Sequence, residues 1–264
     1  MKTLYFLFFL IIFSSCSQYR TYQQILKSEN IEFQIEKAYE YYNSSDYARA
    51  IELFEILLPL YKGSSQAEDI YYHYIYCNYY MNDYISTSYH AKNFISKFVL
   101  STKKEELSFL SSYCYYLDSP RFTLDQDNTL QAISELEKFI NNFPHSDSLN
   151  VVNNLIFELN EKLQKKNFKI VSSYYDRGEF KAAIFAIDNF LSEYPETNFI
   201  EESRYIQVKS YFELGKNSIP EKKEQRVKEA IFACNDYLIS FPNSVFIEEV
   251  NSIYQKLKIL ENGL

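Results

Sequence analysis

The chain has 264 residues, of which 47% are hydrophobic, 18% aromatic and 23% charged, with four glycines, six prolines and no tryptophan. With 27 Lys and Arg against 35 Asp and Glu its formal charge is −8, so its general surface repels nucleic acid and anionic headgroups, whose capture depends on exchanging counterions for Lys and Arg. Gly63, Gly178, Gly215 and Gly263 lie too far apart for a phosphate-cradling loop, and so few turn residues exclude a sandwich or barrel, which leaves an all-α chain.

Met1-Lys2-Thr3 precedes an unbroken apolar run from Leu4 to Phe13, followed by Ser14-Ser15-Cys16. Ten helical residues reach about 15 Å, half of a roughly 30 Å hydrocarbon core. The run is therefore expected to be the core of a signal peptide and not a membrane span. A cysteine directly after two small residues resembles a bacterial lipoprotein signal, which makes residues 1–15 the signal peptide, Cys16 the lipid-modified first residue of the mature chain and 16–30 a lipidated linker. Cys77, Cys114 and Cys234 are left, an odd number without CxxC spacing. They are expected to be small apolar fillers of helix packing rather than disulfide partners or zinc ligands.

The rest of the chain repeats itself. Ala50-Ile-Glu-Leu-Phe54 is followed by Pro59, Ala186-Ile-Asp-Asn-Phe190 by Pro195, and Ala233-Cys-Asn-Asp-Tyr237 by Pro242. A fourth copy keeps Phe139 and Pro144 with Glu135 at the small position, and a fifth has His90, Phe94 and Val99. Ser146, Thr197 and Ser244 follow three of the prolines, where a hydroxyl is expected to cap the next helix. The upstream partner helices end in Tyr41-Tyr42-Asn43, Tyr79-Tyr80-Met81 and Tyr174-Tyr175-Asp176. Small residue, then aromatic, then proline is what two antiparallel helices need to approach closely, fill the gap and stop.

This spacing predicts five pairs at about 31–44/46–60, 64–81/83–99, 102–117/125–142, 146–177/179–194 and 198–214/221–240, closed by a helix at 244–261. The repeat resembles the tetratricopeptide family, which implies a superhelix with a concave face, divided here into residues 31–145 with about three pairs and 146–264 with two pairs and the cap.

Two inserts are more specific: the run Ser119-Pro120-Arg121-Phe122 through Thr129, and Tyr174-Tyr175-Asp176-Arg177-Gly178-Glu179-Phe180. With the lipoprotein signal and the length, they resemble the BamD lipoproteins of the outer-membrane β-barrel assembly machinery. The resemblance implies a non-catalytic scaffold held by its lipid on the periplasmic face of the outer membrane. Its partners would be the POTRA domains of BamA, other lipoproteins of the complex and unfolded barrel precursors, with no cofactor beyond the covalent lipid on Cys16. The match places a BamA contact at Arg177 and Gly178.

Tyrosines crowd positions 71 to 84 too densely to face one core. Tyr72, Tyr76, Tyr79 and Tyr80 are therefore expected to line a groove for extended precursor peptides, tyrosine joining a large apolar face to one hydroxyl. The competing expectation is that they pack between repeats.

His73, His90 and His145 accompany no hydrolase or metalloprotease signature. Glu105-Glu106, Glu201-Glu202 and Glu248-Glu249 read as solvated surface. An unrelated tetratricopeptide envelope lipoprotein binding a periplasmic protein or a glycan is the alternative; a SusD-type glycan binder is disfavoured by the length and the absence of tryptophan.

Overall fold

The computed structural model describes residues 20–263, so the signal peptide and the expected acylation at Cys16 lie outside the described residues. A helical stretch over residues 20–26 precedes eleven helices, and there is no strand among the described residues. The helices are α1 (Ile31–Asn43), α2 (Tyr47–Leu60), α3 (Ala67–Tyr80), α4 (Tyr84–Lys97), α5 (Lys104–Asp118), α6 (Asp127–Asn142), α7 (Leu149–Asp176), α8 (Phe180–Glu193), α9 (Ile200–Lys216), α10 (Pro220–Ser240) and α11 (Ile247–Asn262). These are the five tetratricopeptide-type pairs and the closing helix read from the sequence.

Two compact units divide them. One holds the described residues up to Pro120 together with Gln126–Ile156, and the other holds Arg121–Asp125 with the chain from Phe157 onward. The core of the first packs Leu53, Phe54 and Leu57 of α2 against Ile70 and Ile75 of α3, Phe94 of α4 and Leu107 of α5. In the second, Phe168 packs with Ile187 and Phe190, and Tyr205, Val227, Cys234, Tyr237 and Val250 form a further cluster. Phe54, Phe94, Phe139, Phe190 and Tyr237, the aromatic anchors read from the sequence, are all buried, although the turn closures below put Leu57, also buried, and not Phe54 in register with Phe94 and Phe190. Each removes enough apolar surface from water to contribute about 1.5–3 kcal/mol.

The turns inside three pairs share one chemistry. Ser45, Asn82 and Gly178 take a left-handed backbone, with φ of 63°, 61° and 75°. Behind them, Asp46 donates its N–H to the Tyr41 carbonyl, Asp83 to that of Asn78 and Glu179 to that of Tyr174, at 2.8, 3.0 and 2.9 Å. This six-residue closure satisfies carbonyls that the helix end would leave open. Asp46 and Asp83 then cap the following helix through their side chains, accepting from Arg49 and Ser86. The closure also sets the register: Tyr79 is the counterpart of Tyr42 and Tyr175, so the alignment of the tyrosine pairs read from the sequence is one residue out in the second repeat.

Two other readings are corrected. Pro59 lies inside α2, which runs on to Leu60, whereas Pro144, Pro195 and Pro242 each follow the C-cap residue, two positions beyond the end of a helix. The hydroxyls of Ser146, Thr197 and Ser244 accept from the N–H two residues on, at 3.1, 3.3 and 3.0 Å. They fix the turn that leads into the next helix rather than capping that helix directly.

The small position also shifts. Ala186 and Ala233 are half-buried, while Thr87, Ala132, Ala183 and Ala230, three residues before the copies' nominal positions, have no exposure. This explains how the third pair carries Glu135 and the second His90 without losing close helix approach. Glu135 instead lies 2.8 Å from Lys92 and 2.9 Å from Lys138; burial pushes its carboxyl up, but the two ammonium groups outweigh it and hold the group below the usual range.

The helical stretch over 20–26 is fastened to the first pair. The Tyr22 hydroxyl donates to Glu52 at 2.7 Å and is 3.1 Å from the Arg49 carbonyl, the Arg49 guanidinium lies over its ring, and Gln34 donates to the carbonyls of Ile25 and Leu26.

Candidate functional site

The tyrosine-rich helix α3 sorts its rings by helical spacing. Tyr71 and Tyr74 turn inward and are buried. Tyr72, Tyr76 and Tyr80, four residues apart, form a strip on another face. Tyr72 and Tyr76 both donate their hydroxyls to one carboxylate oxygen of Glu106 on α5, Tyr72 at 2.6 Å. Tyr80 stacks on Tyr47 with ring centroids 4.5 Å apart and lies 6.4 Å from Tyr42. Tyr79 flanks this strip, its ring 5.5 Å from Tyr80, 6.2 Å from Tyr76 and 6.3 Å from Tyr84 of α4. Of the four tyrosines singled out from the sequence, three form the strip with Tyr79 beside it, and Tyr80 is the most open at 45% exposure.

The strip is electrostatically organised. The Lys103 ammonium sits 4.0 Å from the centre of the Tyr72 ring and 3.0 Å from Asp69, which also accepts from Tyr39 at 2.7 Å. Burial pushes the Asp69 carboxyl up, but the Tyr39 and Lys103 hydrogen bonds prevail and hold it below the usual range. Burial first, then Glu106, pushes the Tyr72 phenol up to about 12 and the Tyr76 phenol further. Both stay protonated donors at any physiological pH. The surface offers aromatic faces edged by fixed polar groups, which suits peptide contact and holds no proton-transfer pair.

Glu105 and Glu106 are both exposed, as expected, but sequence reasoning missed the phenols that Glu106 holds. The signal was present: Tyr72 and Glu106 are 34 residues apart, as are Asp69 and Lys103. That separation is one repeat, which brings equivalent positions of successive first helices side by side. Of the other acidic pairs, Glu202, Glu248 and Glu249 are exposed, as expected, whereas half-buried Glu201 accepts from Ser244 at 2.7 Å.

In the second unit, Gly178 follows α7 in the left-handed turn described above, with the Phe180 ring 4.0 Å from where a side chain would start. Arg177 is half exposed and held by its own neighbours: Nε 3.2 Å from Glu179, an Nη 3.1 Å from the Ser173 hydroxyl, and the guanidinium 4.7 Å above the Tyr174 ring. The group is presented in one orientation with its fork partly engaged.

His73 packs edge-on against Tyr39 and Tyr42, and His90 takes a 3.0 Å hydrogen bond with the Tyr71 hydroxyl. Cys77, Cys114 and Cys234 are free and buried, and burial pushes each thiol up to about 12. They are fillers, as expected. Among the described residues no cluster of three or more His, Cys, Asp or Glu could hold a metal, and no helix is long and apolar enough to cross a membrane.

The sequence pattern of the YfiO family, described as an outer membrane lipoprotein, matches residues 32–174 and again 154–264. The chain belongs to that family. Within the wider group, it is 24% identical over 142 residues to the outer membrane protein assembly factor BamD of Caulobacter vibrioides, a stretch covering 54% of this chain and 47% of that protein. The alignment thus spans about half the length of the curated relative. Among solved structures, the tetratricopeptide domain of P58(IPK) is similar at 12% identity and a TM-score of 0.40, covering 91% of this chain and 58% of that one. A tetratricopeptide-repeat protein of Bacteroides fragilis is similar at 14% identity and a TM-score of 0.38, covering 88% of this chain and all of that one. The family match takes in both units, so the tyrosine strip and the Arg177 turn both fall within it.

Proposed function

We propose that this protein is a non-catalytic scaffold of the outer-membrane β-barrel assembly machinery, anchored through an acylated Cys16 on the periplasmic face of the outer membrane. The observation that carries this reading is the family match, which runs from residue 32 to the end of the chain. In this reading the first unit receives unfolded barrel precursors on the strip of Tyr72, Tyr76 and Tyr80, with Tyr79 beside it. Extended peptide side chains would lie on the ring faces, while Glu106 keeps the phenols in place. The second unit docks the POTRA domains of BamA at the turn of Arg177 and Gly178. The side of the guanidinium not engaged by Glu179 and Ser173 would meet a partner carboxylate.

Pull-down of the chain from detergent-solubilised outer membranes is expected to bring BamA as the dominant partner, and a preparation without BamA would overturn the reading. Two variants separate the surfaces. Arg177→Glu should reduce BamA recovery while leaving precursor-peptide binding intact. Combined Tyr72→Ala, Tyr76→Ala and Tyr80→Ala should do the reverse, and unchanged peptide affinity would discard the tyrosine strip.

A further inference from the structure

Away from the tyrosine strip, the first unit holds a cleft of about 770 Å³ between the end of α2, the start of α3 and the end of α4. That volume falls in the range of pockets that enclose a small ligand, about 300–1,000 Å³. Its lining includes Leu58, Pro59, Tyr71 and Phe98, so its walls are largely apolar. The charged residues lining it are Lys62 and Lys97, and none of the described residues lining it is acidic. In a chain of net charge −8, such a grouping stands out.

The geometry sets the cations around an apolar well. Lys97 lies 5.2 Å above the ring of Tyr71, whose hydroxyl is tied to His90, so the ammonium is held beside the wall. Lys62 is exposed on the loop that precedes α3. Gly63, beside it, has φ of 84° and nothing within 4 Å of where a side chain would begin, which leaves that loop open. The first residue of α3, Ala67, lines the cleft, and a helix start carries partial positive charge. The carboxylates of that first turn are engaged elsewhere, Glu68 by Ser101 at 2.6 Å and Asp69 by Tyr39 and Lys103. Apolar residues continue along the adjoining turn, where Val99 is 62% and Leu100 97% exposed.

We propose that this cleft binds a single-chain anionic amphiphile, one acyl chain in the apolar well with a carboxylate or phosphate head at Lys62 and Lys97. Apolar burial supplies the affinity and the two ammonium groups select the charge of the head. The inference does not rest on the assembly role, because it concerns a cavity that role does not use.

The test is photo-crosslinking of the full chain, held in nanodiscs of uncharged phospholipid, with a diazirine-bearing hexadecanoate. Crosslinks should map to the ends of α2 and α4 and be competed by unlabelled hexadecanoate. Lys62→Glu with Lys97→Glu should raise the competing concentration by about tenfold, two exposed charge contacts being reversed. Ala67→Trp should abolish labelling by filling the well. Competition by hexadecyl phosphate in place of hexadecanoate would assign the head as phosphate; the reverse would assign carboxylate. Labelling that ignores both sets of substitutions, or that uncharged dodecyl maltoside competes equally well, would overturn the proposal.

Discussion

The two units solve the same packing problem with different aromatic chemistry. In the first, neighbouring first helices are joined by hydroxyl-to-carboxylate contacts: Tyr39 to Asp69, and Tyr72 and Tyr76 to Glu106. In the second, face-to-face rings join them, Phe168 on Phe199 at 4.7 Å and Tyr205 on Phe246 at 4.1 Å, beside the hydrogen bonds of Asn198 to Glu161 and Ser244 to Glu201. A stacked ring tolerates sliding, because its attraction is broad. A phenol aimed at one carboxylate oxygen does not, because a hydrogen bond weakens steeply off its axis. The comparison teaches that repeat register is fixed by direction in the first unit and by direction and shape together in the second.

Alkali should separate the units most widely. Burial leads the upward push on eight phenols of the first unit: Tyr22, Tyr39, Tyr42, Tyr71, Tyr72, Tyr74, Tyr76 and Tyr79. In the second unit it does so for Tyr194, Tyr205, Tyr211 and Tyr237. A group raised on folding contributes stability that is complete below its unfolded value, here 10.0, and is lost as pH climbs through the folded value. The first unit should therefore unfold first above about pH 10, followed by tyrosinate absorbance beside helical circular dichroism. Simultaneous loss of both units would break the comparison.

Removing an anchor should come next. Phe54→Ala and Phe190→Ala should each cost about 3–5 kcal/mol, since both rings are buried in packed cores. Proteolysis of each variant should show cleavage confined to the unit that carries the change. A smaller effect is expected from Glu106→Ala, about 1–2 kcal/mol, because it strands two phenol donors on a partly open surface. Tyr72→Phe combined with that change should cost less than the two separately, and full additivity in denaturant titrations would deny the shared oxygen its role. The finest contrast lies in the turns. Gly178→Ala should destabilise by about 1 kcal/mol, whereas Ser45→Gly should be stabilising or neutral by up to about 1 kcal/mol, both read as shifts in denaturant midpoint.

The helix pairs were legible because the anchors Phe54, Phe139, Phe190 and Tyr237 each sit five residues before a proline, and local spacing is all a hairpin needs. The inward or outward turn of each tyrosine was only partly legible, since periodicity gives the faces of α3 but not what α5 sets opposite them. Glu106 is solvent-facing as read, and its hold on the phenols shows only when the repeat length is used as a ruler between helices. The shift of the small position to Thr87, Ala132, Ala183 and Ala230 was hidden for a different reason. Glycine-like closeness can be supplied at either of two adjacent turns, and only packing reveals which. The cleft beside Lys62 was not legible at all, because it is made by a loop whose path the sequence does not dictate.

The grip on Tyr22 has a consequence for how the molecule would move. Helix is already present at residue 20, four residues beyond Cys16, and fully extended chain covers at most about 3.6 Å per residue. With Cys16 acylated as proposed, no more than about 14 Å could separate it from residue 20. The first helix hairpin would then be moored hard against the bilayer, able to pivot on its berth but not to drift across the periplasmic gap.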